Sequence, residues 1–195
     1  MNPKQALATF KTFPQIETSR LVLRKITPSD ANDLFSFMSD EATVKNNLIL
    51  PHKQIAETDK FIKYLNKQYE KQQDIRWGIT KKGSDTLIGT IGYFNFHPQD
   101  FQAEIGVLLD KQYWRGGIMT EALVAALTFG FKNLAFNRIT IFIWPDNAPA
   151  IGLAKKVGFQ EEGLLKECKF LNDQFYDLGM YSLLKKDYLQ RPEVS

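Results

Sequence analysis

The sequence contains only one cysteine and two histidines, and this scarcity excludes several kinds of chemistry. Because Cys168 stands alone, no disulfide can form within the chain, which suits a reducing compartment. His52 and His97 lie far apart and outside any metal-ligand spacing, so we expect no metal site. A nucleophilic triad that depends on histidine is poorly supplied for the same reason.

The chain also lacks a strong charge imbalance and a long apolar run. A net charge of +3 is too mild to indicate binding to nucleic acid. No apolar run approaches the roughly 18 residues that a membrane span needs. Residues 1–13 include basic side chains but no apolar segment of the kind found in secretory signals. We therefore expect a cytoplasmic protein that binds neither nucleic acid nor membranes.

The length of 195 residues favours one domain, because a chain of this size can bury a core without disulfides or metals. Apolar spacing predicts the order βααβββαβαββ, with about seven strands and about four helices. A strand, glycine turn, helix and strand in the middle of the chain predict one parallel crossover inside an otherwise antiparallel sheet. The domain is predicted over 1–195, with flexible or peripheral ends at 1–15 and 186–195.

Alternation of apolar residues defines the predicted strands, and apolar residues three or four positions apart define the predicted helices. The predicted strands are 20–26, 76–82, 86–96, 103–109, 138–144, 166–171 and 174–184. The predicted helices are 28–38, 51–73, 119–134 and 148–157. The class predicted from this order is α/β, of the α+β type.

A glycine turn precedes the third of these helices, in the stretch QYWRGGIMTEAL at 112–123. Backbone N–H groups at a helix N-terminus attract anions, and Gly116 and Gly117 would let a ligand approach the backbone closely. Arg115 adds a positive charge that suits phosphate. The spacing fits neither a Walker A loop nor a Rossmann fingerprint. On the turn alone, a phosphate-binding loop and a plain turn are equally supported.

The residues around this turn resemble the GNAT superfamily of acyl-CoA-dependent N-acetyltransferases. The resemblance is carried by AEIGVLLDKQYWRGGIMTEAL at 103–123 and IWPDNAPAIGLAKKVGFQEEGLL at 143–165, and it covers nearly the whole chain. Within the superfamily, the chain looks like the ribosomal-protein-alanine (RimJ/RimL-type) branch. The resemblance implies a GNAT fold, in which a mixed, mostly antiparallel twisted sheet has a splayed central strand pair.

The resemblance also implies which residues bind acetyl-CoA. The family binds the pyrophosphate at the glycine turn and the pantetheine arm along the preceding strand. This branch usually reads Trp-Gly-Lys-Gly-Tyr-Ala, whereas here Arg115-Gly116 takes the place of Gly-Lys and Met119 replaces the small last residue. The residues assigned to the cofactor are Val107, Leu109, Trp114, Arg115, Gly116, Gly117, Ile118, Met119, Thr120 and Asn147.

Few residues at the positions that match the family's site can act as an acid or a base. Glu104 matches the family position that often serves as the base, directly or through water. The family's usual acids are missing, because Ala150 and Ala154 occupy the positions of its serine and tyrosine. Tyr176 and Tyr181 are candidate substitutes, and both also suit packing or the wall of an acceptor groove.

The resemblance implies an enzyme that moves acetyl from acetyl-CoA to a primary amine by direct attack in a ternary complex. An α-amine, with a pKa of about 7.7–8.0, is on the order of one-tenth neutral at pH 7, and a lysine amine far less. A site short of acid–base groups therefore favours a protein N-terminus. The alternatives are a small amine (a polyamine, amino acid derivative or antibiotic) and an acyl-CoA-binding module with little turnover. We expect a monomer or a homodimer.

Overall fold

The computed structural model describes residues 12–190, which form one sheet of eight strands with helices on both faces. The strands are β1 Ile16–Glu17, β2 Leu21–Lys25, β3 Ile75–Lys81, β4 Gly89–His97, β5 Gln102–Leu109, β6 Arg138–Ile143, β7 Gln160–Leu171 and β8 Gln174–Leu184. The α-helices of this region are α1 Ala31–Met38, α2 Glu41–Val44, α3 Ile55–Glu70, α4 Ile118–Lys132, α5 Ala148–Val157 and α6 Lys185–Leu189. The strand order is β1-β2-β3-β4-β5-β6-β8-β7.

The predicted α/β class and the mostly antiparallel sheet are confirmed, but the predicted element counts need correction. Residues 12–190 contain eight strands rather than about seven, and six helices rather than about four. The additional elements are β1, α2 and α6, with two, four and five residues. Such short segments carry no readable apolar period, which is why pattern analysis missed them. Strand β7 also begins at Gln160, well before the predicted Lys166.

The central strand pair diverges, as the resemblance implied. Strands β5 and β6 run parallel and are joined through α4, but their pairing ends at Glu104 and Thr140. Beyond that point β5 follows β4 as far as Leu109, while β6 follows β8 as far as Ile143. Each strand is held by its antiparallel neighbour, so a gap opens between them.

Apolar side chains fill both faces of the sheet. On one face, α4 packs its buried residues, including Leu123 and Leu127, against the strands. The Tyr93 hydroxyl donates to the Ala126 carbonyl at 2.8 Å. Gly130 makes room for this ring, because a Cβ there would lie 2.5 Å from the Tyr93 oxygen. On the opposite face a second cluster covers the sheet with α1 and α3; its members include Leu34, Phe37, Ile62 and Leu108.

The described parts of both predicted ends contact this core. The Phe13 and Tyr69 ring centroids lie 4.8 Å apart, and the Trp77 indole donates to the Pro14 carbonyl at 2.7 Å. Near the other end, the Tyr188 and Thr128 hydroxyls are 2.7 Å apart. Residues 1–11 and 191–195 lie outside the described residues, so their peripheral character and the single domain over 1–195 stay predictions. No helix within residues 12–190 is long and apolar enough to cross a bilayer.

A bidentate ion pair fixes the start of α1 against β2. Arg24 contacts Asp30 through Nη2 to Oδ1 at 2.7 Å and Nη1 to Oδ2 at 2.9 Å, and the Thr27 N–H donates to Oδ2 at 2.7 Å. Asp30 is buried. Burial alone would raise the pKa of Asp30, but the hydrogen bonds from Arg24 and Thr27 outweigh it and hold that pKa below its ordinary value.

We expect Asp30→Asn to lower the free energy of unfolding near neutral pH by on the order of 3 kcal/mol, because Arg24 loses its partner in a mostly buried site. Since the folded-state pKa is lowered, the carboxylate stabilises the fold above the unfolded-state value of about 3.9. That contribution disappears as the pH falls through the folded-state pKa. Urea unfolding should therefore show the difference from wild type at neutral pH and a smaller one near pH 3.5. Asp100→Asn, at an exposed turn position, is the control and should change little.

Candidate active site

Two cavities meet where β5 and β6 diverge. The first, of about 400 Å³, lies between the end of β5, the glycine turn and the N-terminal ends of α4 and α5; we call it the loop cavity. The second, of about 330 Å³, lies over β3 to β6 and includes Glu104 and Arg76; we call it the sheet cavity. Val107 and Asn147 line both. The two cavities are therefore neighbouring compartments on either side of the strand gap.

The structure brings the predicted cofactor residues together, although their role in binding stays a prediction. Gly116 alone among them does not line the loop cavity, and its carbonyl instead accepts from Arg20 Nη1 at 3.1 Å. The others that line the loop cavity are Val107, Leu109, Trp114, Arg115, Gly117, Ile118, Met119, Thr120 and Asn147.

The N-terminus of α4 presents backbone donors to the loop cavity. Gly117 is its N-cap residue, with φ at 72°, and no side chain caps the helix. In contrast, the Asn147 side chain caps α5 by accepting from the Ala150 N–H at 3.2 Å. The first N–H groups of α4 are therefore not capped by a side chain, and together with the helix dipole they favour a negative charge at this end of the helix.

Two residues of the glycine turn differ from the branch pattern, and the structure shows where each lies. Arg115 has φ at 62°, in the left-handed region that non-glycine residues seldom occupy, and its side chain borders the loop cavity. The Met119 side chain packs in the core beneath the helix, with 9% exposure. The larger residue is thus accommodated below α4, while the backbone at the helix start stays at the cavity.

Two backbone carbonyl groups of β5 accept hydrogen bonds from side chains. The Val107 carbonyl accepts from Asn47 Nδ2 at 2.6 Å, and the Leu109 carbonyl accepts from the Trp114 indole at 2.8 Å. The Asp110 N–H donates to the Ile88 carbonyl, just before β4, so the N–H groups of Val107 and Leu109 point to the opposite side, where β6 has diverged. Those N–H groups are the donors that β5 offers to a ligand arm.

The turn at Lys45–Asn47, between α2 and α3, contacts both sides of the strand gap. The sequence analysis missed this feature. Asn147 Nδ2 donates to the Asn46 carbonyl at 3.0 Å, while the neighbouring Asn47 binds Val107. These asparagines lie about sixty or a hundred positions from their partners in the chain. No periodic or motif signal in one sequence could have located them.

Glu104, the predicted base, lies in the sheet cavity rather than the loop cavity. It is the last residue of β5 that pairs with β6, and its Oε1 accepts from Asn95 Nδ2 at 3.0 Å. Its side chain thus stands at the edge of the gap. Its catalytic role stays a prediction.

The two candidate acids are not brought to the site. Neither Tyr176 nor Tyr181 lines the loop cavity or the sheet cavity. Tyr181 is buried, which raises its pKa, and the Tyr176 hydroxyl donates to Gln174 Oε1 at 3.3 Å. Tyr113 and Thr43, to which the sequence analysis assigned no role, do line the loop cavity. Within residues 12–190, no group of three or more His, Cys, Asp and Glu side chains is placed to hold a metal ion.

Glu121 holds the glycine turn from its outer side. Its Oε1 accepts from Thr18 Oγ1 at 2.6 Å and from Ser19 Oγ and the Arg20 N–H, both at 2.9 Å, while Oε2 accepts from Arg20 Nε at 2.6 Å. Burial opposes ionisation, but these hydrogen bonds lower the pKa of Glu121 to about 2. Because Arg20 also binds the Gly116 carbonyl, the carboxylate connects the β1–β2 segment to the turn.

Comparison with known proteins identifies the family. Residues 20–160 match the family model described as the acetyltransferase (GNAT) domain. The chain is 33% identical over 173 residues to the N-acetyltransferase YoaA of Bacillus subtilis, covering 89% of this chain and 98% of that protein. It is 35% identical over 98 residues to the ribosomal-protein-serine acetyltransferase of Escherichia coli, covering 50% and 55%. It is 22% identical over 175 residues to the spermidine N(1)-acetyltransferase of Vibrio cholerae, covering 90% and 99%.

Solved structures agree with this result. A crystal structure titled a probable acetyltransferase superposes with a TM-score of 0.81 at 26% identity, covering 90% of this chain and 99% of that one. RimL, a ribosomal L7/L12 α-N-protein acetyltransferase solved with coenzyme A, has the same fold, with a TM-score of 0.79 at 21% identity and coverage of 90% and 99%. The fold is that of an acetyltransferase. The chain belongs to the GNAT family and is an acetyl-CoA-dependent N-acetyltransferase.

We expect Glu121→Gln to lower the melting temperature by on the order of 5 °C at neutral pH, because an ionised acceptor of four hydrogen bonds is lost. The folded-state pKa of about 2 lies below the unfolded-state value of about 4.3. The stabilisation is therefore complete above about pH 5 and decreases as the pH falls from about 4.3 toward 2. Thermal melts across this range measure it. Glu70→Gln, at an exposed position, is the control. A melting-temperature difference between Glu121→Gln and wild type that does not change with pH would contradict the prediction.

Proposed function

We propose that the protein acetylates the α-amine at a protein N-terminus, using acetyl-CoA in a ternary complex. The observation that supports this most directly is the pair of adjoining cavities at the strand gap. One offers an uncapped helix N-terminus to an anion, and the other contains a carboxylate at the gap edge. Donor and acceptor can therefore enter from different sides and meet at Val107. A cytoplasmic location and a monomer or homodimer stay predictions.

The donor side fits acetyl-CoA in its charge and its shape. The pyrophosphate would accept from the N–H groups at the start of α4, with Arg115 supplying a positive charge. The pantetheine arm would run along β5 and accept from the N–H groups of Val107 and Leu109. Asn147, buried between the two cavities, would contact the arm near its thioester end. Acetyl-CoA supplies the activated acetyl group.

The acceptor side supplies a proton acceptor and a hydrogen-bond donor. In this proposal Glu104 takes a proton from the incoming ammonium, directly or through water, so that a neutral amine attacks. The N–H of Val107 faces the gap and would stabilise the negative charge that develops on the carbonyl oxygen. Because Glu104 is the one carboxylate among the residues that line the sheet cavity, an amine of low pKa is the better acceptor.

A polyamine acceptor is the second candidate, supported by the relative named spermidine N(1)-acetyltransferase, which aligns over 90% of this chain. The charges of the sheet cavity disfavour it, however. Arg76 and Lys169 line that cavity against one carboxylate, Glu104. A polycationic ligand would meet an excess of positive charge there. A protein N-terminus carries less positive charge than a polyamine and fits this cavity better, in line with the relative named ribosomal-protein-serine acetyltransferase.

Thiol release from acetyl-CoA tests the acceptor class. Each peptide should be offered with a free N-terminus and, as its matched control, with that N-terminus blocked and a lysine left free. We expect turnover with the free N-terminus, and mass spectrometry should place the acetyl group on the α-nitrogen. Turnover of spermidine alone would replace the proposed acceptor with a polyamine. Tight binding of acetyl-CoA without turnover on any amine would contradict the reading of these cavities as a catalytic site.

We expect Glu104→Gln to lower kcat by about 10²–10⁴-fold, the usual contribution of a general base. The remaining activity should lose the dependence on an ionised carboxylate, so the acidic limb of the pH–rate profile should flatten. Binding of acetyl-CoA, measured by calorimetry, should not change, because Glu104 does not line the loop cavity. Glu70→Gln serves again as the control, and an unchanged pH–rate profile in the Glu104 variant would remove Glu104 from this role.

A further inference from the structure

Arg76 is a cation in the sheet cavity that has no carboxylate partner. Arg24 and Arg138 each pair with a carboxylate, Asp30 and Glu162 respectively, but no ion pair forms at Arg76 among residues 12–190. Its Nη1 lies 3.4 Å from the Thr90 hydroxyl, a long hydrogen bond, and its guanidinium carbon is 5.7 Å from the centre of a phenylalanine ring. Arg76 is partly buried and borders this cavity, so a ligand that displaces water there can complete the coordination of its guanidinium.

Two glycines create the space that this side chain occupies. Arg76 on β3 lies opposite Gly92 on β4, and Gly92 lies opposite Gly106 on β5. A Cβ on Gly92 would lie 2.9 Å from the arginine Cβ, and one on Gly106 would lie 3.4 Å from Nη2. Because Gly92 and Gly106 carry no side chains, the guanidinium crosses β4 and ends beside Gly106 and the Phe94 ring. That position is next in sequence to Val107, at the strand gap.

The surroundings of Arg76 are positive on balance. The other charged side chains that line the sheet cavity are Glu104 and Lys169. Arg76 also borders a third cavity, of about 730 Å³, in which Asp74 lies, but that carboxylate does not come within ion-pair distance. Burial lowers the pKa of Arg76, opposed by the nearby Asp74 and Tyr64, and the group stays cationic at neutral pH. The cavity therefore offers more positive charge than its own residues neutralise.

Glu104 and Gly106 share one face of β5, since they are two positions apart, and their Cα atoms lie about 7 Å from each other along the strand. The carboxylate of Glu104 and the guanidinium end of Arg76 thus face the same small volume. A ligand there can place an amine near Glu104 and a negative group at Arg76. Among anions, a carboxylate matches the planar fork of arginine with two parallel hydrogen bonds.

We propose that Arg76 binds a carboxylate carried by the acceptor, so that the enzyme selects amines with a carboxylate a few bonds away. This inference rests on the proposed function, because it concerns the acceptor of the same reaction. Two sources share the required chemistry: a protein N-terminus with an acidic side chain in its first two residues, and a free amino acid with its own α-carboxylate. In either case Arg76 determines specificity and takes no part in the proton transfer.

Matched acceptors test this selection. Peptides that begin with Asp or Glu should be compared with the same peptides beginning with Asn or Gln, and free amino acids with their amides. We expect wild-type kcat/KM to be roughly 10- to 100-fold higher for each carboxylate than for its amide, the effect of one charge-assisted hydrogen-bonded pair. The difference should lie mainly in KM, because the carboxylate is bound in ground state and transition state alike.

Arg76→Gln should bring this ratio close to one, because KM should rise much more for the carboxylate acceptors than for the amide acceptors. Arg76→Lys should retain part of the ratio, since a charge remains but the fork is lost. Lys132→Gln, an exposed charge at the end of α4, is the matched control and should keep the full ratio. A residue with only a structural role would lower the rates of both acceptors together, so the ratio separates the two roles even where a variant is less stable.

The outcomes separate this inference from the proposed function. Turnover of peptide N-termini with a ratio that Arg76→Gln and Arg76→Lys leave unchanged would overturn the role of Arg76 and preserve the N-terminal acceptor. Loss of the ratio in Lys169→Gln with its retention in the Arg76 variants would also overturn it. Turnover of free amino acids alone, with the expected ratio, would support Arg76 and remove the protein N-terminus as acceptor. Turnover of spermidine alone would overturn both.

Discussion

The end of pairing between β5 and β6 at Glu104 and Thr140 is the constraint on which the rest of the site depends. Each strand continues along its antiparallel neighbour, so the two strands separate beyond these residues. The gap exposes backbone N–H groups in the centre of the protein without leaving an edge strand open to solvent. It also separates two cavities while keeping them in contact at Val107.

Some polar residues around the gap hold the backbone in place, and they leave the backbone N–H groups at the start of α4 without a side-chain partner. Asn147 caps α5, whereas α4 begins without a cap, so an anion can take the place that a side chain would otherwise fill. Glu121 and Arg20 hold the turn before α4 from behind and leave its cavity side open. The glycine turn is thus hydrogen-bonded on its outer side, while the helix start at the loop cavity has no side-chain cap.

Much of this arrangement could be predicted from the sequence, because its signals are local. The helical pattern after Gly117 predicted α4, and the apolar pattern along 103–109 predicted the strand that carries Glu104. The partners of these residues could not be predicted. Asn47 reaches Val107 and Thr18 reaches Glu121 across long separations in the chain, which only the folded sheet brings together. The place of Arg76 in the sheet cavity could not be predicted for the same reason, since it depends on glycines in two other strands.

The turn at 45–47 has a consequence for the width of the gap. Asn47 binds β5 directly, and the Asn46 carbonyl binds Asn147, which follows β6. Two amide side chains thus connect this turn to β5 and to the segment that follows β6, across the gap between the strands. Substitutions in this turn would change the room between the strands while leaving the glycine turn intact. The size of the acyl group that such an enzyme accommodates can therefore change through a segment remote from its cofactor motif.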